Sequence, residues 1–138
     1  MPNNQPIFSR VGDIQWSGTT ASAANITKDL TTGTTYSVFT ADSTSGGYVQ
    51  RIRFKPLGTN QATVARIWIN NGSSTSTAAN NVLFDEVSLA ATTISETSAL
   101  STTEIPLNFA LPPSYKIYVT LGVTAAAGYA VSVIGGKY

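Results

Sequence analysis

Two alternating runs joined by a reversal, Tyr48 to Asn70, constrain this chain more than any other stretch. Side chains of a strand point alternately to its two faces, so a period of two separates a buried side from a solvated one. In the first run Tyr48, Gln50, Ile52 and Phe54 share one side, and Val49, Arg51, Arg53 and Lys55 the other. In the second, Ala65, Ile67 and Ile69 stand against Val64, Arg66, Trp68 and Asn70. Between them, Pro56-Leu57-Gly58-Thr59-Asn60-Gln61 has the residues of a reversal, so a hairpin is expected, with both apolar sides turned to one core. Its other side then gathers Arg51, Arg53, Lys55 and Arg66 around Trp68, which is half of the chain's 8 basic residues.

The remaining runs have the same character. Strands are expected over Thr35–Ala41, Val82–Leu89, Glu104–Leu111, Tyr115–Val123 and Tyr129–Ile134. Asp85 falls in the apparent core row of its strand, which points to a bulge or a strand end. Pro106 argues for an edge strand or a strand start. Polar Ser/Thr/Ala loops separate the strands, and two of them are too long for tight hairpins, which favours Greek-key crossings. The expected fold is all-β: a single-domain antiparallel β-sandwich, jelly-roll-like, over residues 30–138. Residues 1–29 lack a sustained period and are broken by Pro and Gly. They read as an extended N-terminal arm whose large side chains, Phe8 and Trp16 among them, dock on the parent domain or on a neighbouring subunit.

Composition narrows the chemistry. Only 11% of the 138 residues are charged, against ~25% for an ordinary soluble domain, so solubility rests on the hydroxyls and amides. A net charge of +1 gives no global case for nucleic acid or membrane. Histidine and cysteine are both absent, which removes the commonest general base, thiolate chemistry and the usual metal ligands. Among the 7 carboxylates only Asp85 and Glu86 adjoin, and neighbours on a strand point to opposite faces, so they are not a glycosidase pair. No phosphate loop, dinucleotide fingerprint or nucleophile elbow occurs. The expectation is a non-enzyme with no cofactor and no metal. The sequons at Asn25 and Asn71 read as turn chemistry. The start lacks the charged and greasy regions of a secretory signal, so folding in the cytoplasm is expected.

The basic face with Trp68 admits three readings. It is a solvated sheet surface kept from aggregating by its charges, a protein-docking patch of the residue types enriched at hot spots, or a weak, non-specific grip on phosphates.

Several runs together resemble a known family. These are Pro6-Ile7-Phe8-Ser9-Arg10-Val11-Gly12-Asp13-Ile14-Gln15-Trp16, then Gly47-Tyr48-Val49-Gln50-Arg51-Ile52-Arg53-Phe54-Lys55-Pro56-Leu57-Gly58-Thr59-Asn60, and Ala65-Arg66-Ile67-Trp68-Ile69-Asn70-Asn71-Gly72. Ala110-Leu111-Pro112-Pro113 and Val131-Ser132-Val133-Ile134-Gly135-Gly136 complete the set. The chain resembles small structural proteins of tailed bacteriophages, of the capsid decoration or cement kind. The resemblance implies a virion component that binds the outside of an assembled shell as a homotrimer, its partners being the major capsid protein and itself. Trp16, Phe8, Arg51, Arg53, Lys55, Arg66 and Trp68 are the expected docking residues. The alternative is a carbohydrate- or receptor-binding sandwich of a head fibre or tail, for which Trp16, Trp68, Tyr48 and Tyr118 are the available platform.

Overall fold

The computed structural model describes residues 9–138. Eight strands form: β1 (Val11–Trp16), β2 (Tyr36–Thr40), β3 (Gly47–Pro56), β4 (Thr63–Asn70), β5 (Asn81–Leu89), β6 (Thr103–Leu111), β7 (Lys116–Leu121) and β8 (Tyr129–Lys137). They make two 4-stranded sheets, a front sheet ordered β1-β8-β3-β6 and a back sheet ordered β2-β7-β4-β5. Every strand pair is antiparallel. Only β4 and β5 are consecutive within one sheet; all other connections cross from sheet to sheet. That order is a jelly-roll sandwich with Greek-key connections.

Val49, Ile52 and Phe54 of β3, Ala65 and Ile67 of β4, Ile117, Val119 and Leu121 of β7, and Val131 and Val133 of β8 fill the space between the sheets. The alternation of β3 has a phase break. The register of β3 shifts between Val49 and Arg51 against both neighbours. A bulge adds one residue and so exchanges the faces on either side of it. Val49 is therefore buried where Tyr48 and Gln50 had been expected, while Ile52 and Phe54 point inward as their spacing predicts. A second bulge lies opposite the Ile67/Trp68 step of β4, at Phe84 and Asp85 of β5. It accounts for the carboxylate in the apparent core row.

The two runs expected as a hairpin are not one. β3 lies in the front sheet and β4 in the back sheet, and the link over residues 57–62 spans the gap between them. Stacked sheets stand ~10 Å apart, well within the reach of six residues. Asn60 explains why the link does not close on itself. Its side chain, 2% exposed, accepts from the backbone N–H groups of Ala127 (2.8 Å) and Gly128 (2.9 Å) and donates to Gly128 O (3.1 Å). Backbone bonds in both directions tie Asn60 to Thr92 as well. The turn residues hold neighbouring loops together and leave both strands free to face each other across the core.

The expected arm is woven into the sandwich from Val11 onward. β1 pairs with β8 from Val11↔Lys137 to Trp16↔Ser132 as the edge of the front sheet. On its inner side the Gln15 amide donates to Thr40 O (2.9 Å) and accepts from Thr40 N–H (2.9 Å), latching the front sheet to β2. At the opposite edge Phe84 and Phe109 meet edge-to-face, with ring centroids 5.0 Å apart. Asn25 N–H then bonds Leu121 O of β7 (2.7 Å), and Asn81 Nδ2 at the start of β5 donates to Asp29 O (3.0 Å). The segment between these anchors straps across β4 on the outer side of the back sheet. The Asn25 side chain, 5% exposed, spends its donors on Thr32 O and Thr34 O and its oxygen on Thr27, which is turn chemistry. Gly33 closes the turn at φ 80°, where a Cβ would lie 2.8 Å from the Asn25 amide.

Candidate functional site

The outer face of the front sheet collects what the sequence had placed on separate elements. Residues paired across antiparallel strands project to the same side. One row runs Trp16–Ser132–Arg53–Glu104 and the next Ile14–Ile134–Arg51–Pro106, across β1, β8, β3 and β6. Lys55 follows, opposite Ala130. Adjacent strands are ~4.8 Å apart, so the Trp16 and Arg53 backbones stand ~10 Å apart with only the small Ser132 between them. Trp16 is 67% exposed and Ile14 59%. Exposed hydrophobics occur elsewhere on the chain, as at Ile26 and Val82, but here two stand in adjacent rows of one face beside guanidinium groups.

Glu104 organises the cations. Its Oε1 lies 2.6 Å from Arg53 Nε and its Oε2 3.7 Å from Arg51 Nε, and all three side chains are about two-fifths exposed. The Lys55 ammonium donates to Leu100 O at 2.7 Å. Three cations against one carboxylate leave the face positive while holding the two guanidinium groups in fixed positions. Exposed ion pairs of this kind add little stability. Their effect here is to present charge in a set pattern.

Four of the seven expected docking residues, Trp16, Arg51, Arg53 and Lys55, thus share one face. Arg66 and Trp68 do not join them, because β4 belongs to the other sheet. Trp68 does project away from the core, as its spacing predicts, yet it is 1% exposed. The segment from Asn25 to Asp29, anchored at Leu121 of β7 and Asn81 of β5 on either side of β4, is the stretch placed to cover it, and the Trp68 indole N–H donates to the buried Thr120 hydroxyl at 3.0 Å. Leu30, buried within the continuing strap, lies outside the main apolar cluster as Trp68 does. Phe8 falls outside the described residues. Sequence reasoning missed Ile14; its two-residue spacing from Trp16 was the available signal once residues 11–16 are read as a strand. The four aromatics proposed as a sugar platform do not share a plane: Trp16 and Tyr48 are on the front sheet, Tyr118 is on the back sheet, and Trp68 is buried.

The titrating groups build turns. Backbone and hydroxyl hydrogen bonds from Ser45, with the Thr44 N–H, hold the Asp42 carboxyl below its ordinary range, and Thr31 does the same for Asp29. Burial pushes the Tyr129 phenol up. Among the described residues no three Asp or Glu side chains gather as a metal site would require. A positively charged sheet face with an exposed indole can grip a surface.

Comparison with known proteins gives no match: no family model, no curated protein and no solved structure is similar to this chain. Fold and site together define a jelly-roll sandwich with a basic, aromatic outer sheet.

Proposed function

We propose that the protein is a non-enzymatic structural component of a tailed-bacteriophage virion, binding the outer surface of the assembled capsid as a decoration or cement protein. The observation that carries this reading is the juxtaposition of exposed Trp16 and Ile14 with Arg51, Arg53 and Lys55 on one sheet face. Aromatic and arginine side chains dominate binding energy at interfaces, and a rigid sheet presents them with little ordering entropy left to lose. The partner is an acidic, partly apolar patch of the major capsid protein. The resemblance to phage decoration proteins adds a homotrimeric state, which places three such faces on one particle and multiplies weak contacts by avidity. Binding the assembled lattice and not free subunits stabilises the shell by mass action.

The test is sedimentation of purified protein with undecorated capsids. The protein co-pellets with shells, stays in the supernatant with unassembled capsid subunits, and raises the temperature at which shells release their contents. Absence of co-pelleting at every salt concentration overturns the proposal.

A further inference from the structure

The back sheet has a hollow of its own. It holds about 490 Å³ and is lined by Val64 and Arg66 of β4, Ser88 and Leu89 of β5, and Ala62, Gly122 and Val123 beside them. It is the part of the outer sheet face that the strap leaves open, since the strap is anchored at Leu121 and runs towards Asn81. Gly122 creates the depression: it pairs with Val64 through Gly122 N–H and Val64 O (2.8 Å), and its missing side chain is the missing wall. A Cβ there would lie 3.3 Å from Arg66 Nη1.

Arg66 closes the inner end. Its side chain is only 13% exposed, and Nε and Nη1 are shut off from water without a hydrogen-bond partner in the protein. Glu86 Oε2 lies 3.3 Å from Nε, yet the contact is ionic and not a hydrogen bond, and Glu86 itself is half exposed. A guanidinium desolvated on one side and loosely neutralised on the other is costly to leave as it stands. An incoming carboxylate that displaces the exposed Glu86 supplies the missing acceptors.

We propose that this hollow is a second docking site, separate from the front-sheet face, and that it takes an extended protein segment carrying an acidic side chain beside an aliphatic one. Charge complementarity to Arg66 selects the carboxylate, and Val64 and Val123 receive the aliphatic neighbour. The site is an open trough, with Ala62, Ser88, Ala90 and Val123 all exposed along it. Free small molecules favour enclosed pockets that cover most of their surface. A chain segment gains further hold along the trough and at the unpaired edge of β5.

The probes are the blocked tripeptide acetyl-Leu-Glu-Ala-amide, its Gln counterpart, and hexanoate, titrated into the isotopically labelled full chain and followed by amide NMR. The Glu peptide is expected to give saturable shifts at Gly122, Val123 and Ala90 and at the Arg66 Nε–H, with the Gln peptide weaker by about tenfold or more. Arg66→Gln should abolish the difference between the two peptides. Because that variant removes a largely buried side chain, Ser88→Leu provides a second arm: it fills the trough from an exposed strand position and should abolish the shifts in a spectrum that otherwise stays folded. Equal binding of the Glu and Gln peptides overturns the proposal, as does unaltered binding to Ser88→Leu. Binding of hexanoate without the peptide would reassign the hollow to free acids. Shifts at these residues on raising protein concentration alone would reassign it to a second copy of the chain.

Discussion

The chain's 2 tryptophans occupy opposite surroundings. Trp16 stands in solvent on the front sheet at 67% exposure, while Trp68 lies under the back-sheet strap at 1%. Both project away from the sandwich core, so the difference comes from what covers them. Trp16→Ala should leave unfolding free energy within about 0.5 kcal/mol of the parent. On the proposed docking role it should weaken capsid binding by about 2 kcal/mol, roughly 30-fold. Chemical denaturation and co-sedimentation separate the two quantities. Trp68→Phe behaves the other way: it leaves the buried Thr120 hydroxyl without its indole partner and should cost about 1–3 kcal/mol of stability with binding unchanged.

At the scale of elements, the link between β3 and β4 and the strap over β4 decide the shape. Asn60→Ala leaves three backbone groups of the β7–β8 loop, two of them buried, without their side-chain partner and should destabilise the fold by about 3 kcal/mol, measured as a lowered urea midpoint at constant slope. Leu30→Ala should cost about 2–4 kcal/mol and, with Trp16 replaced by Phe, open the remaining Trp68 fluorescence to acrylamide quenching. The strap also responds to acid. Hydrogen bonds from Thr31 hold the Asp29 carboxyl below its ordinary 3.8, and those from Ser45 and Thr44 hold Asp42 there too. A depressed folded pKa gives stability that is present above 3.8 and is lost as pH falls through the lower folded value. Melting temperature should therefore fall on acidification below about 3.8, and Asp29→Ala with Asp42→Ala should flatten that fall.

These elements also show how far the sequence could be read. Periodicity was enough for β2 to β8, because Ile52, Phe54, Ile67, Val119 and Leu121 repeat at two-residue spacing and all are buried, but β1 was read as part of an arm, since its few apolar residues show no sustained period. It could not report which sheet each strand enters. Pro56 to Gln61 has the composition of a hairpin turn, yet a crossing between sheets needs the same reversal-prone residues, and only the long-range bonds of Asn60 distinguish the two. A bulge adds a residue without a compositional mark, so the inward turn of Val49 was invisible. Parity correctly sent Trp68 to the outer face; its burial depended on a polar, irregular segment more than thirty positions away, which no local pattern announces. On the candidate site, Arg51, Arg53 and Lys55 were legible as one row, while their meeting with Trp16 required the pairing of β1 and β3 on either side of β8.

For the whole molecule, the sandwich separates two surfaces by chemistry. The front sheet presents a positive, aromatic outer face; the back sheet is partly roofed by its own chain, with the trough beside Arg66 left open. Weak net charge with local charge implies contacts that depend on salt through a few groups. On the proposed docking role, capsid binding should fall as ionic strength rises, because the Debye length shortens from ~30 Å at 0.01 M to ~8 Å at 0.15 M. Replacing Arg51 and Arg53 together by Gln should remove most of that dependence.

The most direct test of the docking face is the binding isotherm of the protein on undecorated capsids, compared with that of the combined variant Trp16→Ala, Arg51→Glu, Arg53→Glu. All three positions are partly or largely exposed, and the thermal unfolding of the variant in isolation serves as the control for folding. The proposed docking role predicts saturable binding of the parent chain and loss of binding by a folded variant. Undiminished binding by that variant, or no binding by the parent protein, would contradict it.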